Sequence, residues 1–243
     1  TQDSSSAASD VYKRQDLDKA VSGAMISKYR NAGQTCVCTN RILVQHKIYD
    51  EFVSKFKSEC EKLVIGDGQK ETTTIGPLID SNAAEDVKSL IEDAKIKGAR
   101  VELGGDSCDL GDNFINPTIL SNINTSMRVF NEEIFGPVAP IIKFETENEA
   151  IELANQTDFG LAAYFYSRDI GRVYRVSEKL EFGIIGVNEG IISNEMAPFG
   201  GIKESGNGRE GSKYGLDDYL EIKYVCVGAV SYTHLRAHET SNH

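Results

Sequence analysis

Short β-rich runs alternate along this chain with amphipathic stretches of helical period. That alternation specifies an α/β fold, a mostly parallel sheet flanked by helices. Leu17, Ala20, Val21, Ala24 and Met25 share one helical face. Asp16 stands where an N-cap would and Gly33 where a helix-ending glycine would. Arg41 to Gln45 reads as a strand. Tyr49, Phe52, Val53, Phe56, Cys60 and Leu63 form the apolar face of a surface helix that Gly66 to Gly68 ends. A further helix starts near Asp80 or Ser81, buries Val87, Leu90, Ile91 and Ala94, and stops at Gly98. Residues 99–103 and 117–120 read as strands separated by a loop over 105–116. Val138 to Phe144 is β-rich but carries Pro140, which implies an edge position or a late start. Thr146 to Glu149 matches a capping box and opens a helix through Ile151 and Ala154. Leu161 to Tyr166 is a strand, Asp169 caps a helix bearing Ile170, Val173, Tyr174 and Ser177, and residues 183–188 form a buried strand. From Tyr219 to Val227, Leu220, Ile222, Tyr224 and Cys226 alternate on one face. A terminal strand with no helix after it invites pairing across a subunit boundary.

Composition narrows the function classes. A net charge of −11 over 243 residues argues against nucleic acid, whose phosphates require clustered Lys and Arg. No apolar run approaches the roughly 20 residues that span a bilayer, and no secretory leader opens the sequence. Five cysteines without framework spacing fit a reducing compartment, the cytoplasm or a mitochondrial matrix. Residues 1–15 and 229–243 bear no pattern that buries a face. Both resemble translated sequencing-adapter read-through and are read as non-native. Their rival readings are a disordered leader and a His-rich metal tract, the latter too loosely spaced at His234, His238 and His243 to favour a metal site.

The chemistry concentrates at Tyr29 to Arg41, which sets Cys36 between the first helix and the first strand. A thiol there can be presented to a substrate, with backbone N–H groups beside it to hold an oxyanion. Equally, such a cysteine can be a small buried hydrophobe, or half of a C-x-C metal pair short of the usual three or four ligands. His46 follows the strand and is poorly placed as a base, which argues against a Cys–His hydrolase. Arg30 offers a positive field.

Asn31-Ala-Gly-Gln-Thr-Cys36, Glu132-Glu-Ile-Phe-Gly-Pro137 and Pro198 to Glu210, in this order, resemble three motifs of the aldehyde dehydrogenase superfamily. The resemblance runs from about Asp16 to Gly228. Arg30, the Cys36/Cys38 pair, Asn188 to Ser193 and Gly211 to Tyr224 are most similar to its succinate-semialdehyde branch. The resemblance implies a catalytic thiol domain over 16–205 and, over 206–228, a C-terminal segment with an oligomerisation strand. It implies Cys36 as nucleophile, Glu133 and Phe135 as contacts to NAD or NADP, and Arg30 and Ser193 as holders of a distal carboxylate. Asn194 competes with Ser193 for that role. Phe199 either lines the substrate pocket or packs, and Cys38 is either a redox partner of Cys36 or a spectator. It further implies thiohemiacetal and thioester intermediates, a homo-oligomer of two or four subunits, and no metal. The family's oxyanion asparagine, general base and cofactor domain precede the matched region, and no strand–Gly-rich turn–helix here could cradle a pyrophosphate. The expectation is a catalytic portion that is inactive alone.

Overall fold

The computed structural model describes residues 17–106 and 108–229. The readings for residues 1–15, Asp16 and the tail histidines fall outside them. In chain order the elements are α1 (Leu17–Tyr29), β1 (Ile42–Gln45), α2 (Tyr49–Cys60), α3 (Ser81–Ile96), β2 (Arg100–Leu103) and β3 (Thr118–Ser121). Then come α4 (Arg128–Asn131), β4 (Val138–Phe144), α5 (Glu147–Asn155), β5 (Phe159–Gly160), β6 (Ala162–Phe165), α6 (Ile170–Lys179), β7 (Ile184–Val187) and β8 (Ile202–Lys203). The main sheet has the order β1-β4-β3-β2. β1 and β3 run parallel to β4, and β2 is antiparallel to β3. β6 and β7 form a parallel pair, β5 and β8 an antiparallel one.

Local chemistry sets many of these boundaries. Asp80, Thr146 and Asp169 each accept a backbone N–H from three residues on, as N-caps do. Glu149 closes the Thr146 box by accepting from the Glu145 N–H, one residue before the cap. At the other end of α5, the buried Arg41 guanidinium donates to the carbonyls of Leu153, Ala154 and Gln156 at 2.9–3.1 Å. It thereby satisfies orphan acceptors of the last turn, and burial lowers its pKa to about 10. Phe52 and Phe56 stack at 5.6 Å between centroids, and Phe56 stacks on Tyr29, so α1 and α2 share one apolar seam.

Several expectations are corrected. β4 lies in the centre of the sheet, not at its edge. Pro140 is tolerated there because residues 138–140 pair with β3 and residues 141–144 pair with β1, so the ring falls where pairing changes sides. α1 ends at Tyr29, four residues before Gly33, because Asn31 and Ala32 already adopt left-handed backbone conformations. α2 ends at Cys60, before Gly66, where the Thr74 hydroxyl captures the Val64 N–H at 2.7 Å. α6 turns Val173 inward as expected, joined by Val176, but leaves Ile170 and Tyr174 exposed. β7 is half-buried rather than buried. Residues 214–219 form a 3₁₀ turn, and 220–229 run on without strand pairing, with Leu220, Ile222, Tyr224, Val225 and Val227 all exposed.

Candidate active site

Because β1 and β4 are parallel, the loops preceding them emerge at the same edge of the sheet. One loop carries Cys36, the other Glu133 and Phe135. Gly33, at φ +78°, allows their backbones to meet: a Cβ there would sit 2.2 Å from the Gly136 carbonyl oxygen. Asn40, buried between them, donates to the Glu132 carbonyl at 2.8 Å and accepts from the Ile134 N–H at 3.0 Å. Both hydrogen-bonding ends of one amide thus clamp the second loop from either side of Glu133. Gln34 extends the tie, donating to the Pro77 carbonyl and accepting from the Ile79 N–H.

Cys36 occupies a turn closed by the Cys38 N–H donating to the Thr35 carbonyl at 3.0 Å. The turn is strapped to the end of α1 through Thr39, whose N–H and hydroxyl donate to the Ser27 carbonyl and hydroxyl. From the other side the Tyr164 hydroxyl of β6 donates to the Val37 carbonyl at 2.9 Å. Cys36 is half-buried and packs with Phe199, Ile192 and Ile184 against Val37, Leu161, Ala162 and Tyr164. An apolar wall therefore flanks a partly accessible sulfur. Burial pushes the Tyr164 hydroxyl far above its ordinary range. The Cys38 sulfur adds to that push, the Arg30 guanidinium opposes it, and Cys36 adds a little more.

Phe199 is positioned by a backbone bridge to Glu210, with N–H to carbonyl distances of 2.9 and 2.7 Å. The adjoining Gly200-Gly201 lets this loop approach β7, since a Cβ on Gly183 would sit 2.1 Å from the Gly200 carbonyl oxygen. Ser193 lies exposed on the loop after β7. That loop starts at Asn188, which exchanges two 2.8 Å hydrogen bonds with the Ser167 backbone, and rests on α1 where Gly190 meets Gly23. Arg30 is exposed at the end of α1. Among the described residues no hydrogen bond joins it to Ser193 or to Asn194, whose Oδ1 accepts from the Met196 N–H. Phe135 is exposed, at φ +45°, and Glu133 is half-buried. Neither Cys36 nor Cys38 is in a disulfide. His46 lies beyond the far end of β1, paired with Glu145 at 2.6 Å.

Asn40 and Lys28 were not singled out by sequence. Asn40 has no local pattern to mark it, since its partners are more than 90 residues away. Lys28 did leave a signal: it stands four residues after Ala24 and seven after Val21, on the face that those residues bury.

Residues 4–225 match the model of the aldehyde dehydrogenase family. The chain is 58% identical over 218 residues to the succinate-semialdehyde dehydrogenase [NADP(+)] of Escherichia coli (strain K12), covering 90% of this chain and 45% of that protein. It is 57% identical to a 3-sulfolactaldehyde dehydrogenase of Pseudomonas putida, with 90% and 45% covered, and 56% identical to a glutarate-semialdehyde dehydrogenase of Pseudomonas aeruginosa, with 90% and 46% covered. The crystal structure of succinate-semialdehyde dehydrogenase from Burkholderia pseudomallei superposes with a TM-score of 0.91 at 53% identity, covering 93% of this chain and 47% of that one. The chain thus spans about half the length of the relatives it matches.

Proposed function

The chain belongs to the aldehyde dehydrogenase family, and from that premise we propose that it carries the thiol half of an NAD(P)-dependent oxidation of a small aldehyde bearing a second, anionic group. Succinate semialdehyde is the foremost substrate and succinate the product. The observation that carries this reading is the half-buried Cys36, set on a strapped turn against Phe199 and tied through Asn40 to the loop of Glu133 and Phe135. Relatives named for succinate semialdehyde, glutarate semialdehyde and 3-sulfolactaldehyde share an aldehyde with a distal carboxylate or sulfonate. Arg30 is the cation suited to that group, because its planar fork meets such oxyanions bidentately; Ser193 supplies a hydroxyl. Glutarate semialdehyde or an uncharged aliphatic aldehyde is the alternative substrate.

The sulfur of Cys36 attacks the aldehyde carbon as the thiolate and forms a thiohemiacetal. The Cys36 backbone N–H holds the developing oxyanion. Loss of hydride leaves a thioester, which water opens to the acid and the free thiol. Glu133 and Phe135 fit the cofactor's face. One is a carboxylate that can accept from ribose hydroxyls, the other an exposed ring held in an unusual backbone conformation. The nicotinamide cofactor, when bound, supplies the hydride acceptor. The exposed alternating run from Leu220 supports assembly with further copies through that segment; bacterial relatives suit a cytoplasmic location, and a relative named mitochondrial suits a mitochondrial one.

Acyl transfer tests this without any cofactor. The protein should release nitrophenol from 4-nitrophenyl acetate in a burst, and Cys36→Ser should abolish it. A burst unchanged in Cys36→Ser sinks the assignment. In a form extended to the relatives' length, Arg30→Ala should weaken succinate semialdehyde far more than an uncharged aldehyde. Equal loss for both would remove the anion clamp. Incubated alone with NAD+ and succinate semialdehyde, this chain should form no NADH at an enzymatic rate.

A further inference from the structure

Lys28 sits in the last turn of α1 with its side chain fully buried, and its Nζ donates to the Cys38 Sγ at 3.4 Å. No ion pair among the described residues includes it. Two carbonyl oxygens face the same sulfur, that of Lys28 itself at 3.5 Å and that of Thr39 at 3.8 Å. The Cys38 Sγ thus accepts from the Lys28 ammonium and donates to a carbonyl in return, so it anchors the ammonium beneath the turn. The C-terminal end of a helix favours a cation, yet a buried ammonium with no anion nearby stays costly.

Several titratable groups among the described residues pack around the turn. Tyr29 from α1 and Tyr164 from β6 are both held protonated, chiefly by burial. Cys60 touches the Tyr29 hydroxyl and is likewise pushed up by burial, to about 11. Arg30 is a second cation, and Glu133 stands on the adjoining clamped loop. Cys36 remains as the group that becomes an anion within the turn itself, two residues from the sulfur that Lys28 touches.

Resting on the reading of Cys36 as the nucleophile, we infer that Lys28 is a positioning residue for it: the buried ammonium, fixed beneath the turn through Cys38, favours the ionised form of the Cys36 sulfur. Ionisation moves the Cys36 proton to solvent and leaves Lys28 protonated. In general, a unit charge on the order of 10 Å from a thiol, at an effective dielectric near 20, shifts it by about one pKa unit.

The test is the pH dependence of Cys36 alkylation by iodoacetamide in the intact protein, followed by fragment mass spectra that separate Cys36 from Cys38. Lys28→Met should move the midpoint up by about one pH unit, and Lys28→Arg should restore most of it. A Lys28→Met protein that melts like the parent and keeps the parent midpoint overturns the inference. Coupling is reciprocal, so the unsubstituted protein offers a second readout that does not depend on the variant folding. After Cys36 is alkylated, the Lys28 side-chain NMR resonance should titrate at lower pH; an unmoved titration also overturns it. Alkylation needs no aldehyde. A shifted midpoint alongside absent acyl transfer would count against the enzymatic reading alone, and a normal burst with equal midpoints against Lys28 alone.

Discussion

At the scale of the residue, Asn40 and Gly33 decide whether two distant loops form one site. Asn40→Ala removes the donor to Glu132 and the acceptor for Ile134, leaving the buried Ile134 N–H and the part-buried Glu132 carbonyl unmatched. We expect a loss of about 1–3 kcal/mol in urea unfolding, and a slower nitrophenyl acetate burst as the clamped loop shifts. A burst and stability equal to the parent's would mean that the loops dock by packing alone. Gly33→Ala is the harsher change. It demands a positive φ of an alanine and drives a methyl into the Gly136 carbonyl, so the melting temperature should fall further than for Asn40→Ala. Cys38 already accepts from Lys28. Peptide mapping after peroxide decides whether it nevertheless links to Cys36 as the family resemblance implies, and absence of a linked peptide would remove the switch.

At the scale of the element, end groups account for much of what forms where. Asp80→Ala and Thr146→Ala should each cost about 1 kcal/mol, since each deletes one N-cap acceptor; chemical denaturation checks both. Arg41 works at the opposite end of α5 and from a different part of the chain. Arg41→Met keeps the bulk but leaves three carbonyls of the last turn without their donor. Hydrogen exchange of the α5 amides should therefore speed up in Arg41→Met more than that of α3. Uniform change across both helices would mean that the guanidinium acts on the fold as a whole.

At the scale of the whole molecule, the buried phenols and thiol set the alkaline limit. Burial raises Cys60 from 9.0 to about 11, and Tyr49 and Tyr166 from 10.0 to about 12. A folded pKa above the unfolded one gives stability that is whole below the unfolded value and lost as pH climbs toward the folded value. Stability should thus decline from about pH 9 and keep falling to about pH 12. Arg41, lowered to about 10, opposes this from pH 10 upward. Melting temperatures from pH 7 to 11 would show it, and Cys60→Ala should delay the onset. The exposed Ile222 belongs to the same scale. If residues 220–227 pair between copies, Ile222→Asp should shift sedimentation toward smaller species.

Sequence by itself determined the α/β class, the alternation of the longer helices and strands, the capping box at Thr146, the cap at Asp169, a helix start near Asp80, and the placing of Cys36 between α1 and β1. All of these rest on neighbours within about four residues. Tertiary structure alone decided that β4 is central despite Pro140, that Asn40 joins loops more than 90 residues apart, and that Ile170 and Tyr174, expected on one face with Val173, stay exposed. It also closed Lys28, which sits on the same helical face as Val21 and Ala24, beneath the Cys36 turn. Those outcomes depend on which strands pair and in what register, and pairing is chosen by the burial of the whole sheet, which no local window of residues contains.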